Sequence, residues 1–204
     1  MRVVFMGTPD FAVGTLKAII EAGYDVAAVV TQPDKPKGRS KSLVFSPVKE
    51  EAVAHGITVL QPERARDEAF VEELRTYNAD VIVVVAFGQL LPASIINMPG
   101  YGCINVHASL LPKYRGASPI QWAVIDGCEY SGVTTMKMDE GLDTGDILMV
   151  EKVKLDAKET GGSLFDRLSD VGAQLLVKTL EGLEAGTITP VKQDDSESTY
   201  VKML

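Results

Sequence analysis

Cysteine is scarce in this chain of 204 residues, and the two present, Cys103 and Cys128, exclude the disulfide framework of a small secreted scaffold. With no signal-peptide pattern at the start, they point to a reducing cytoplasm. Long apolar runs are missing as well. The longest, Val81 to Ala86, is far shorter than the roughly 20 residues that cross a bilayer, so no membrane span is expected. Basic charge is in short supply: 20 Lys and Arg against 28 Asp and Glu leave a formal charge of −8, which repels a polyanion and argues against a generic nucleic-acid coat. Any RNA contact must be local. Internal repeats are absent. So is the G-x-G-x-x-G fingerprint, although Gly7 sits in the first turn, and a dinucleotide cofactor is not expected.

What remains is an ordinary folded composition, 46% hydrophobic and 24% charged, in one large domain or a domain with a tail. Met1 to Met6 reads as a buried strand, Phe11 to Ala22 as a helix and Tyr24 to Thr31 as a second strand, a βαβ unit that implies a parallel sheet. Gln32 to Val44 differs in kind. Two prolines, one glycine, and Lys35, Lys37, Arg39 and Lys41 against Asp34 predict a mobile, exposed loop that is either a solvated connection or a contact to phosphate. Ser46 caps a helix that runs to His55 and ends at Gly56, which leaves His55 as a solvated helix-terminal residue. Ile57 to Leu60 is a strand, Asp67 to Tyr77 a helix, and Asp80 to Ala86 a central strand apolar on both faces. After it, Gly88 allows close backbone approach, and Leu90 and Leu91 form either apolar walls for a ring or an ordinary core turn.

Gly100 to Ala108 is the next strand. Within it Asn105 and His107 stand two apart, so both side chains share one face, and Ser109 and Pro112 then break the strand at its carboxyl end, where ligands bind in open α/β sheets. By themselves these two residues are better explained as a core histidine bonded to a neighbouring asparagine. Ser118 caps a helix to Ile125, Tyr130 to Met138 alternates as a strand, and Asp139 to Asp146 is an acidic, glycine-punctuated loop. Its four carboxylates, Asp139, Glu140, Asp143 and Asp146, lack the spacing of a calcium loop, and no metal is expected. Ile147 to Leu155 is a strand, Gly162 to Gly186 a long core-packing helix, and Thr187 to Leu204 a polar stretch with no evident structure.

At NVHASLLPKYRG, with DEGLDTGD placed so that Asp143 follows His107 by 36 residues, the sequence resembles the folate-dependent formyltransferases, which use 10-formyltetrahydrofolate. The resemblance implies an α/β, doubly wound, mostly parallel Rossmann-like sheet with helices on both faces. It makes Asn105, His107 and Asp143 the catalytic triple and puts Ser109, Leu110, Leu111 and Pro112 on the folate signature. Gly88, Gln89, Leu90, Leu91, Asp139 and Gly141 complete the expected folate contacts. MGTPDFA, TQPDKPKGR, FGQLLP, ASPIQWA and MDEGLDTGDIL, covering Met1 to about Tyr200, are similar to members that formylate initiator methionyl-tRNA, and the family's basic insertion then makes Lys35, Lys37, Arg39 and Lys41 tRNA contacts. An amino sugar or glycinamide ribonucleotide is the alternative acceptor, and a non-catalytic folate-binding fragment the alternative class. Such relatives carry a further basic β-barrel domain, so residues 1–189 are expected to be the catalytic domain and 190–204 a tail or linker, the whole acting as a monomer.

Formyl transfer to an amine passes through a tetrahedral, oxyanion-bearing species. The site must donate hydrogen bonds to that oxygen and take a proton from the attacking nitrogen. Asn105 can donate, and His107, held in one tautomer by Asp143, can do either. No covalent intermediate is needed, and Ser109 has no nucleophile setting.

Overall fold

In the computed structural model all of Met1–Leu204 is described, as two units, Met1–Cys103 and Ile104–Leu204. In the first, the apolar stretches become β1 (Arg2–Gly7), β2 (Asp25–Val30), β5 (Val59–Leu60) and β6 (Val81–Val85), which alternate with the helices α1 (Asp10–Glu21), α2 (Pro47–Ala54) and α3 (Glu68–Arg75), and a small hairpin of β3 (Lys35–Lys37) and β4 (Ser42–Val44) follows β2. The order in space is β5-β2-β1-β6, every pairing parallel. This is the expected βαβ sheet of an α/β protein. All five residues of β6 are buried, as a strand covered on both faces requires. After the short helix α4 (Ala93–Ile96), Tyr101 and Gly102 return to bond β6 through Asp80 and Ile82.

The second unit continues β7 (Cys103–His107) with β8 (Arg115–Gly116), α5 (Pro119–Ile125), β9 (Tyr130–Lys137), β10 (Asp146–Lys154), α6 (Gly161–Ala185) and β11 (Tyr200–Val201). Here β9 lies between β7 and β10, antiparallel to both. The helix α6 opens with a reciprocal cap, Thr160 accepting from Ser163 N–H and Ser163 from Thr160 N–H, and ends at Gly186 in the left-handed region. Leu164, Leu168, Leu175, Leu176 and Leu180 are buried on its packed face, as the periodicity implies. No helix is long and apolar enough to cross a membrane.

Three expectations are corrected. Gln32 to Val44 is not a bare loop, because Lys35 to Lys37 pairs antiparallel with Ser42 to Val44 around Gly38, the edge position of Pro36 being one a hairpin tolerates. Ser118 precedes α5 without capping it. Its backbone is left-handed, at φ 57, and no side-chain cap bond forms. The stretch after Thr187 is ordered: Val191 bridges Ile147, Asp195–Glu197 makes a short helical turn, and β11 runs parallel to β8.

Candidate active site

The alternation of β7 places Asn105 and His107 on one face, opposite Met136 and Thr134 of β9, at the strand's carboxyl end. His107 is 7% exposed. Its Nε2 lies 2.8 Å from the carbonyl oxygen of Tyr114, and since a carbonyl only accepts, Nε2 carries the proton. When the ring is neutral, its lone pair is therefore at Nδ1. Asp143 Oδ1 stands 3.8 Å from that Nδ1, too far for a hydrogen bond and near enough to attract the ring once it is charged. The second carboxylate oxygen, Oδ2, accepts from Gly116 N–H at 2.8 Å. Asp143 is itself held at φ 55, a left-handed conformation that costs a non-glycine residue about 1 kcal/mol and recurs at functional sites.

The other residues expected on the folate signature fix the turn that follows. Ser109 donates to Lys113 C=O at 2.6 Å and its own carbonyl accepts from Thr134 Oγ1 at 2.7 Å, so its buried hydroxyl is committed to structure. Leu111 is buried, while Leu110 and Pro112 are half-buried. In the acidic loop Asp139 Oδ1 accepts from Gly141 N–H and Thr144 Oγ1, which closes the loop on itself. The four carboxylates do not gather into a group that could hold a metal.

In the first unit Gly88 takes φ 92, a conformation that favours glycine, and the tip of the Gln32 side chain lies where a Cβ would be built. The Gln89 amide is engaged in that turn: it donates to Gln32 Oε1 and Pro62 C=O and accepts from Ala65 N–H. Leu90 is 84% exposed and Leu91 half-buried, the first an apolar side chain offered to solvent. Lys35, Lys37, Arg39 and Lys41 are all exposed on the hairpin. At its root Asp34 bonds Lys49 Nζ at 2.7 Å and Gln61 Nε2 at 2.8 Å, and the Lys49 ammonium holds the Asp34 carboxyl below its usual range. His55, paired with Glu51 at 2.9 Å, is helix-terminal as expected. Burial pushes the Cys103 thiol up to about 12, which leaves it inert at neutral pH.

Two buried polar side chains, one of them bonded to the Asp143 backbone, were not evident from sequence. Arg115 is 2% and Gln193 4% exposed. Gln193 Oε1 accepts from Arg115 Nε at 3.0 Å and Nη2 at 2.8 Å, while its Nε2 donates to the carbonyls of Asp143 at 2.9 Å and Gly145 at 2.7 Å. Arg115 also bonds Asp195 Oδ1 and Tyr200 OH. Burial opposes its charge, but those two partners outweigh burial and hold its pKa above the ordinary arginine value. Arg115 lies inside the KYRG run, yet the polar composition of residues 187–204 carried no signal that Gln193 turns inward.

A family profile described as formyl transferase matches residues 1–180. The chain is 98% identical over 204 residues to a methionyl-tRNA formyltransferase of Lachnospira eligens, and spans 65% of that relative's length. It is 53% identical over 205 aligned residues to the methionyl-tRNA formyltransferase of Caldanaerobacter subterraneus, spanning 66% of it. Among solved structures, a phosphoribosylglycinamide formyltransferase from Anaplasma phagocytophilum superposes with TM-score 0.78 at 20% identity, covering 100% of this chain and 99% of its own. A sugar 3N-formyl transferase, crystallised in the presence of dTDP and 5-N-formyl-THF, gives 0.74 at 20% identity over 99% of this chain and 69% of its own. Likeness at that identity speaks for the fold alone.

Proposed function

The chain belongs to the formyl transferase family, and from that membership we propose that it transfers the formyl group of 10-formyltetrahydrofolate to the free amino group of initiator methionyl-tRNA. The observation that carries the chemistry is Nδ1 of His107, 3.8 Å from the Asp143 carboxylate, with Nε2 already committed to Tyr114 C=O. The attacking amine forms its bond to the formyl carbon, and the carbonyl becomes an oxyanion. Nδ1 takes the proton the amine must lose, Asp143 stabilises the resulting imidazolium, and the proton passes to the departing folate nitrogen as its bond to carbon breaks. The oxyanion is assigned to the Asn105 amide and, after proton uptake, to the imidazolium. No atom of the protein enters a covalent intermediate.

To the folate co-substrate we assign Gly88, Leu90, Leu91, Leu110, Leu111, Pro112, Asp139 and Gly141, with Gln89 and Ser109 shaping the two turns that present them. The exposed Leu90 is the feature that suits an aromatic ring. The reading carries with it a monomer working in the cytoplasm, where charged tRNA and reduced folate are available. In this reading the side chains assigned to reaction and binding all lie within residues 1–189, and 190–204 follows them as a tail. The acceptor is tested by supplying labelled 10-formyltetrahydrofolate with methionyl-tRNA, an amino-sugar nucleotide and glycinamide ribonucleotide. Label is expected on methionyl-tRNA. Label on a sugar or ribonucleotide alone would overturn the acceptor assignment while leaving the chemistry standing.

The hairpin supplies a second check. Changing Lys35, Lys37, Arg39 and Lys41 together to alanine is expected to slow formylation of methionyl-tRNA at low salt. The slope of log rate against log salt should flatten by roughly 0.7–0.9 for each phosphate contact removed. An unchanged slope would detach the hairpin from tRNA.

A further inference from the structure

We infer that Arg115 and Gln193 are positioning residues for the His107 and Asp143 pair, so that the segment from Val191 to Val201 is a working part of the site. The inference rests on the roles given above to His107 and Asp143.

The strand β8 and its flanks form a bracket. Along one edge, Tyr114 C=O accepts from His107 Nε2 and Gly116 N–H donates to Asp143 Oδ2. Along the other edge, Arg115 N–H and Ala117 N–H donate to Thr199 C=O at 2.8 Å and Val201 C=O at 3.0 Å, and Tyr114 N–H to Thr199 Oγ1 at 2.8 Å. Both catalytic side chains therefore hang from a strand whose opposite edge is held only by the end of the chain. At Gly116, φ is 98 and a Cβ would collide with Val201 C=O, so the approach of β11 to β8 depends on glycine.

Gln193 makes a second connection, to the backbone of Asp143. Its amide uses both lone pairs on Arg115 and both N–H groups on the carbonyls of Asp143 and Gly145. The orientation cannot reverse, because a flipped amide would point N–H at the guanidinium and oxygen at two carbonyls. Gln193 thus fixes the left-handed residue whose carboxylate faces Nδ1. Arg115 fixes Gln193. A buried guanidinium is a poor way to gain stability, since a well-packed apolar side chain of similar volume serves as well or better. Its donors run to Gln193, Asp195 and Tyr200, all in the last stretch, and through Gln193 to the catalytic loop.

The test uses Gln193→Glu, which keeps an acceptor for Arg115 but turns an oxygen toward the Asp143 and Gly145 carbonyls. The chain has two histidines, so the ring resonances of His107 can be followed by NMR with His55, bonded to Glu51, as internal control. Gln193→Glu and Asp143→Asn should each shift the His107 ring resonances and leave those of His55 in place. In the transfer assay Gln193→Glu should lower kcat about 10- to 100-fold with KM for the formyl donor little changed. Combined with Asp143→Asn it should cost far less than the product of the two single losses, because it acts through Asp143. Arg115→Lys, which keeps the charge and loses the paired donors, should move His107 the same way by a smaller amount and serves if Gln193→Glu does not fold. His107 resonances unchanged in the variants, or losses that multiply in full, would overturn the inference. A wild-type chain with no transfer activity would instead overturn the proposed reaction, and the resonances would still decide the positioning.

Discussion

Replacing His107 by alanine is expected to lower kcat for formyl transfer by about 100- to 10,000-fold, the range over which a positioned general base contributes. KM for the formyl donor should stay within a few-fold. The expectation follows from the tautomer: Tyr114 C=O claims the Nε2 proton, so the only atom of the ring free to exchange one with substrate is Nδ1. A second substitution separates the two jobs an imidazole could do there. His107→Asn puts an amide N–H close to the Nδ1 position, able to donate to an oxyanion but not to take a proton. If proton transfer is the main work, asparagine should recover no more than about tenfold over alanine, a small part of the general-base contribution. Steady-state rates of wild type, His107→Ala and His107→Asn with labelled donor decide it. Near-wild-type turnover by His107→Asn would make oxyanion donation the main role, and full activity in His107→Ala would remove the residue from the mechanism.

How much of this was legible without coordinates depends on the range of the interaction. Asn105 and His107 could be placed on one face because strand alternation is local, and Ser46 could be named as a cap because Lys49 N–H, its partner at 3.1 Å, is three residues away. The parallel sheet followed from apolar runs separated by helices. Joining Asp143 to His107 required the family pattern, since nothing in a glycine-rich acidic loop says which of four carboxylates turns inward. Gly116 N–H makes that choice, and it lies 27 residues away from Asp143. The holders were beyond reach for the same reason. Arg115 and Gln193 are 78 residues apart, and a glutamine between Lys192 and Asp194 has the composition of a solvated tail. The hairpin was hidden by Pro36, which lowers strand propensity but sits harmlessly where the ladder is only two strands wide. At Ser118 residue type was right for a cap and the backbone conformation wrong, a distinction φ makes and sequence does not.

Asp143→Asn is the second large effect, and the geometry says why a change of one atom should cost about 100- to 10,000-fold in kcat, as much as removing the base itself. Asparagine is among the residues best tolerated at positive φ, so the loop at φ 55 should keep its shape and the thermal midpoint should hardly move. Gly116 N–H, donating to the outer oxygen at 2.8 Å, then selects the orientation of the amide: oxygen toward Gly116, NH2 toward Nδ1 of His107. The negative charge that would have stabilised an imidazolium becomes a donor aimed at the lone pair, which favours the neutral ring and opposes proton uptake. Asp143→Gly makes the control, because glycine relieves the left-handed backbone and removes the carboxylate without adding a donor. Its thermal midpoint weighs relief of the left-handed backbone against loss of the Gly116 N–H bond, and it should still transfer formyl slowly. Thermal melts beside kcat for the two variants separate the cases. A variant that melts like wild type and turns over like wild type would show that Asp143 contributes shape and not charge.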